Sequence, residues 1–291
     1  MSVFQKATRR KTKLKLGIEG PSGSGKTYSA LLVARGLVGP EGKIAVLDSE
    51  NESSNLYEHL TDYDVAPIDP PYTPEKYIKL IQDAEASGYD VLVIDSITHE
   101  WKGQGGCLEI HASMPGNSFT NWGKVTPRHK AFVDTILQSK MHVICTMRSK
   151  ETHALEENDR GKVTPKKLGL EAEVRSGTSY EFTTVLSMDI SHQATSSKDR
   201  TGLFPADQWF KPSIETGQKL RDWCLLGKEA VKYVDEAEVK EFLREASSMV
   251  GKDTAWDTYK VISGKANFSL TAAEFEDVKK NLMTACQEQK E

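Results

Sequence analysis

The sequence predicts an α/β fold on a mostly parallel central sheet, with a small helical appendage at its C-terminal end. Two observations carry that expectation. Strand-like runs at residues 14–18, 44–48, 91–95 and 141–146 alternate with segments of helical periodicity, the pattern of strands joined by helical crossovers. After Gly227 the composition turns helical throughout. The predicted division is 1–227 for the α/β domain and 228–291 for the appendage.

The first strand runs into Gly20-Pro21-Ser22-Gly23-Ser24-Gly25-Lys26-Thr27, a complete G-x-x-x-x-G-K-[ST] phosphate-binding loop. The helical pattern that begins at Tyr28 completes the strand–loop–helix context the motif requires. Its glycines let backbone N–H groups turn inward around a polyphosphate where side chains would clash. Lys26 supplies a charge for the β/γ-phosphates, Thr27 a hydroxyl for Mg²⁺, and the helix N-terminus its positive dipole end. The expected nucleotide-binding set is therefore residues 20–27 with the adjoining Tyr28.

The second strand, 44–48, is followed by Ser49-Glu50. Thr73-Pro74-Glu75 reads as an N-cap with proline at the first helical position. Tyr77, Leu80, Ile81 and Ala84 then mark one apolar helix face, which Gly88 ends. The third strand closes on Asp95, placed to hold Mg²⁺ beside the phosphate loop. Residues 103–123 are expected to form a long loop with a short helix around 108–112, and a helix resumes from Pro127 to Ser139. The fourth strand, 141–146, buries Cys145.

Residues 150–179 are polar and aperiodic, and read as a mobile loop with room for a hairpin. An antiparallel strand follows at 181–188, its hairpin closed by 201–205. Residues 205–227 are expected to lie against the core. In the appendage, Val239, Phe242, Leu243, Ala246 and Val250 share a helix face. Thr271 and Glu274 form a capping box ahead of Phe275, Val278 and Leu282.

The 291 residues carry 27% charged and 38% hydrophobic side chains and a net charge of −4. Nucleic-acid contact would therefore depend on local patches rather than on the overall field. Cys107, Cys145, Cys224 and Cys286 are widely spaced and form no C-x-x-C pair, which indicates neither a zinc site nor a disulfide framework. No apolar stretch approaches the ~18 residues of a membrane span. The basic N-terminus lacks the apolar segment of a signal peptide, so the expected location is the cytoplasm.

Hydrolysis of a bound nucleotide needs a group that orients or deprotonates water. Glu50, at the same sheet edge as the phosphate loop, is the favoured base, and Glu100 is the second candidate. Arg148, just past the fourth strand, is placed to sense the γ-phosphate.

The combination of the phosphate loop, Leu47-Asp48-Ser49-Glu50 and Val91-Leu92-Val93-Ile94-Asp95-Ser96 resembles the RecA-type recombinase ATPase core. It is most similar to the short phage-encoded cores of single-strand annealing recombination, within the wider AAA-type P-loop NTPases. The resemblance covers about 12–227. It implies that Glu50 activates water, that Asp95 serves Mg²⁺, and that two DNA-binding loops follow the third and fourth strands. Here these loops carry Trp101, Lys102, Phe119, Trp122 and Lys124, then Lys150, Arg160, Lys162, Lys166, Lys167 and Arg175. Aromatics interleaved with cations suit base stacking and phosphate tracking.

The resemblance also places Lys198 and Arg200 where such proteins reach a neighbouring subunit's nucleotide. The implied protein is an ATP- and Mg²⁺-dependent single-stranded DNA-binding ATPase, oligomeric as a ring or filament, with recombination or replication proteins as partners. A nucleotide kinase and a packaging or partition motor are the competing expectations. The family's usual glutamine after the fourth strand is replaced by Met147-Arg148.

Overall fold

The computed structural model describes residues 4, 6–157, 163–228, 234–264, 268 and 270–288. The chain divides into two compact units, residues 11–226 and residues 227–291 together with the first ten. In the larger unit the strands are β1 (Lys15–Gly20), β2 (Ile44–Asp48), β3 (Asp64–Pro67), β4 (Val91–Asp95), β5 (His142–Glu157), β6 (Val163–Ala172), β7 (Thr184–Met188) and β8 (Ala194–Asp199). Their spatial order is β3-β2-β4-β5-β1-β7-β8, with β6 paired to β5 beside this path. The pairs β3–β2, β2–β4, β4–β5, β5–β1 and β1–β7 are parallel, whereas β8 on β7 and β6 on β5 are antiparallel. The expected α/β architecture with a mostly parallel sheet is what the chain adopts.

Period-two alternation decides which side chains meet on each face of the sheet. Ile44, Val46, Val91, Val93, Ile144 and Leu186 enter one core with helix α1 (Lys26–Val38). Their neighbours Ala45, Leu47, Leu92, Ile94, Cys145 and Val185 enter the other, with helix α2 (Pro74–Ala86). Thr73 caps α2 by accepting from the Lys76 N–H at 3.4 Å, and Pro74 opens the helix as the sequence indicates.

Between β4 and β5 the chain departs from the expected loop. It forms α3 (Thr98–Lys102), α4 (Cys107–Ser113) and α5 (Ser118–Gln138). Pro127 lies inside α5 and does not begin it. The helix starts nine residues earlier, where Asn117 accepts from the Phe119 N–H at 2.8 Å as its N-cap. A proline inside a helix removes its own N–H donor and crowds the carbonyl four residues back, so α5 forms here against the local preference.

The described residues of 150–179 include the hairpin for which the sequence left room. β5 outruns the sheet and pairs through Ser149–Glu157 with β6 as an antiparallel hairpin. A short 3-10 turn (Thr178–Glu181) then leads into β7. Residues 205–227 contribute α6 (Ile214–Leu225), which buries Leu220 and Cys224 in the α1 core.

In the smaller unit, α7 (Glu236–Val250), α8 (Lys252–Ser263) and α9 (Ala272–Glu288) enclose Val239, Leu243, Phe275, Val278 and Leu282. The capping box forms: the Thr271 N–H donates to Glu274 at 2.7 Å, and the Glu274 N–H to Thr271 Oγ1 at 3.2 Å. Among the described residues no helix is long and apolar enough to cross a membrane.

Candidate nucleotide site

Strand register assembles the site. Gly20 at the end of β1 stands opposite Arg148 on β5, and Asp48 at the end of β2 opposite Asp95 on β4. Three strand ends, with β5 running past them, thus converge on one edge, the usual ligand position in an open α/β sheet. A cavity of about 610 Å³ opens there, and Lys26, Thr27, Glu50, Asp95 and Arg148 all line it. Its volume is in the range of a site for a small ligand or cofactor.

The loop bends through Gly23 (φ 78°) and Gly25 (φ 86°), both in the left-handed region that side chains avoid. Gly20 is tight for another reason: a Cβ there would lie 2.6 Å from Ser24 Oγ. No side chain caps α1, whose first N–H groups remain free to face an anion. Ser22, Gly23 and Gly25 line the cavity, and Tyr28 joins them from the first turn of α1. Lys26 folds back over the loop and donates to the Gly20 and Pro21 carbonyls at 3.0 and 2.8 Å. Burial pushes its ammonium below the usual lysine range, against the pull of Asp95 and Glu50. An anion in the cavity would relieve that penalty.

Asp95 is 2% exposed. Thr27 Oγ1 donates to one of its oxygens at 2.5 Å and Thr146 Oγ1 to the other. Burial raises its carboxyl above the ordinary aspartate range, and the two hydroxyls offset only part of that rise. A buried carboxylate beside a threonine hydroxyl, served only by neutral donors, fits the oxygen ligands Mg²⁺ prefers.

Glu50 is placed by the strand before it. Asp48 accepts from the Glu50 N–H at 2.6 Å and from the Ser54 N–H at 2.8 Å, and so folds the chain into the 3-10 helix Ser53–Leu60. The Glu50 carboxylate accepts from Ser96 Oγ at 3.1 Å and from Arg148 Nε at 2.9 Å, while Arg148 Nη2 takes its second oxygen. Burial raises its carboxyl, but the Arg148 hydrogen bonds and charge outweigh burial and hold it below the usual glutamate range. It is therefore ionised at neutral pH.

A family model described as an AAA domain matches residues 12–216. The chain belongs to that family. No curated protein matches it. Membership puts the chain among nucleotide-binding ATPases, which accords with the five side chains gathered in the cavity.

Other expected residues of the AAA domain sit elsewhere. Glu100 does not reach the cavity. It is 1% exposed, with its carboxylate turned to His129 Nδ1 at 3.0 Å and Cys107 Sγ at 3.1 Å. Its carboxylate faces these partners and not the cavity. Lys198 Nζ donates to the Tyr180 and Phe182 carbonyls. Arg200 stays exposed. Neither lines the cavity of its own chain.

The two tryptophans of the first expected DNA loop pack on one another. Trp101 and Trp122 stack at 5.7 Å, Arg175 lies 5.9 Å from each ring, and His111 stacks on Trp122 at 3.9 Å. Lys102 pairs with Glu173 at 2.7 Å. Phe119, 85% exposed, and Lys124 remain at the surface. Lys150 lies 3.9 Å from Glu171, and Lys166 and Lys167 stand on β6. Arg160 and Lys162 lie outside the described residues.

Five cavity residues escape sequence reasoning. Ser29 comes from the first turn of α1, Ser53 and Tyr57 from the 3-10 helix, His192 from the β7–β8 turn and Lys211 from the segment before α6. Tyr57 meets Tyr28 edge-to-face at 5.9 Å. None belongs to a motif. Only spacing from Glu50, seven residues before Tyr57, offered any signal.

Proposed function

We propose that this AAA domain hydrolyses ATP, with Glu50 as the base that takes a proton from the attacking water. The carrying observation is that Glu50 faces the same cavity as Lys26, Thr27 and Asp95 while ionised. Lys26 and the loop N–H groups would cradle the phosphates, and Thr27 and Asp95 would hold Mg²⁺. When bound, that ion neutralises charge on the β/γ-phosphate oxygens. Arg148 occupies Glu50 in the resting arrangement. A γ-phosphate competes for the same guanidinium, so nucleotide arrival would transfer Arg148 to the phosphate and release the carboxylate to its water.

The RecA-like arrangement supports a finer reading: an oligomer that acts on single-stranded DNA in recombination or annealing. The exposed Phe119 and Lys124, with the β5–β6 hairpin that continues directly from Arg148, are the surface it would use. Arg200 is the cation available to a neighbouring subunit's nucleotide.

ATP turnover with and without a single-stranded oligonucleotide, alongside an assay for phosphate transfer to nucleoside monophosphates, tests this reading. DNA-stimulated hydrolysis and salt-sensitive DNA binding are expected. Monophosphate phosphorylation indifferent to DNA would instead identify a kinase.

A further inference from the structure

Between β4 and β5 three helices converge on one buried cluster that the nucleotide chemistry does not use. Glu100 comes from α3, Cys107 from α4 and His129 from α5, and the three are 1%, 0% and 5% exposed. Cys107 Sγ lies 3.1 Å from Glu100 Oε1, and His129 Nδ1 lies 3.2 and 3.0 Å from the two carboxylate oxygens. One ligand atom from each residue falls within 4.8 Å of the others. We propose that Glu100, Cys107 and His129 supply three ligands of a zinc site, with water as the fourth, that fastens α3, α4 and α5 together.

The donor set is the first argument. One thiolate, one imidazole and one carboxylate are the three ligand types zinc takes from proteins. Zinc bonds of about 2.0–2.3 Å put tetrahedral ligand atoms roughly 3.3–3.6 Å apart, so small side-chain rotations would admit the ion. Charge is the second argument. A dication with one thiolate, one carboxylate and a neutral imidazole sums to zero, which burial favours. The ring orientation is the third. His129 Nε2 faces Thr178 Oγ1 at 3.3 Å, a partner that fixes the ring and leaves Nδ1 for the metal.

The fold supplies a reason for such a clasp. α3 has 5 residues and α4 has 7, too short to persist on local hydrogen bonds. The same helices carry the Trp101–Trp122 stack, whose ring Trp101 meets His129 at 5.3 Å. A fixed metal would hold that aromatic platform in place.

The rival arrangement is a metal-free triad in which the thiol and imidazole donate to Glu100. Cys107→Ser separates the two, because a serine hydroxyl keeps the hydrogen bond but is a poor zinc ligand. The full chain is expressed with zinc supplied, dialysed in metal-free buffer with excess Mg²⁺, and its metal content measured. About one zinc ion per chain is expected in the wild type and background zinc in Cys107→Ser and His129→Gln. Cobalt in place of zinc should show thiolate-to-cobalt absorption in the wild type alone. A chelator should lower the wild-type melting temperature by about 5 °C or more and leave Cys107→Ser unmoved. A folded wild type without zinc, or equal zinc in wild type and Cys107→Ser, overturns the proposal.

Discussion

Glu50 and Arg148 form the one ion pair that points into the nucleotide cavity among the described residues, and their chemistry is coupled. Arg148 holds the Glu50 carboxyl down against burial, so its removal should raise that pKa. In Arg148→Ala the acid limb of the ATP turnover profile should therefore move to higher pH, with turnover down at least ~10-fold at neutral pH. The pH profile of kcat/KM, which reports the free enzyme, checks the shift, and turnover at saturating ATP and neutral pH checks the fall. His142 gives a second pH effect, on stability. Its Nδ1 accepts from the Leu14 N–H at 3.0 Å, and burial with Lys13 and Lys15 nearby lowers its pKa from 6.5 to about 3. Between these values the unfolded chain binds a proton that the folded chain refuses. Stability is thus intact above pH 6.5 and falls toward pH 3, by up to about 1.4 kcal/mol per unit. Denaturant midpoints should fall less steeply over that window in His142→Gln.

Helices α1 and α6 approach so closely that backbone meets backbone. A Cβ on Gly36 would lie 2.0 Å from the Ile214 carbonyl oxygen, and one on Gly217 would lie 2.2 Å from that of Val33. Gly36→Ala must separate the helices and should cost about 3 kcal/mol, read as a lower denaturant midpoint. Elements like these show what the sequence makes legible. β1, β2, β4 and the start of β5 are continuous apolar runs because both faces of the sheet are covered, so they announce themselves. β3 does not: Asp64–Pro67 is short, lies at a sheet edge and is exposed or half-buried throughout. The first half of α5 contains Thr120, Asn121, Gly123 and Thr126, all weak helix formers, and forms because tertiary packing overrides propensity. The β5–β6 hairpin is legible only as a possibility within 150–179, since its strands come from pairing between two polar segments. In the site, Lys26, Thr27, Glu50 and Asp95 are legible because each sits at a fixed offset from a strand end. Ser53, Tyr57, His192 and Lys211 reach the cavity through turns whose course no local pattern records.

For the whole molecule, the question is whether one chain completes its own site. Arg200 lines no part of its own cavity and is exposed. If it completes an adjacent site, mixing Lys26→Ala and Arg200→Ala chains should restore turnover that neither shows alone. Turnover that stays at the sum of the two variants would confine catalysis to single chains. The central claim, that the cavity hydrolyses ATP with Glu50 as base, is tested most directly by measuring nucleotide affinity and ATP turnover side by side for the wild type and Glu50→Gln. The expected result is unchanged affinity with turnover reduced ~10²-fold or more. Wild-type turnover in Glu50→Gln would contradict it.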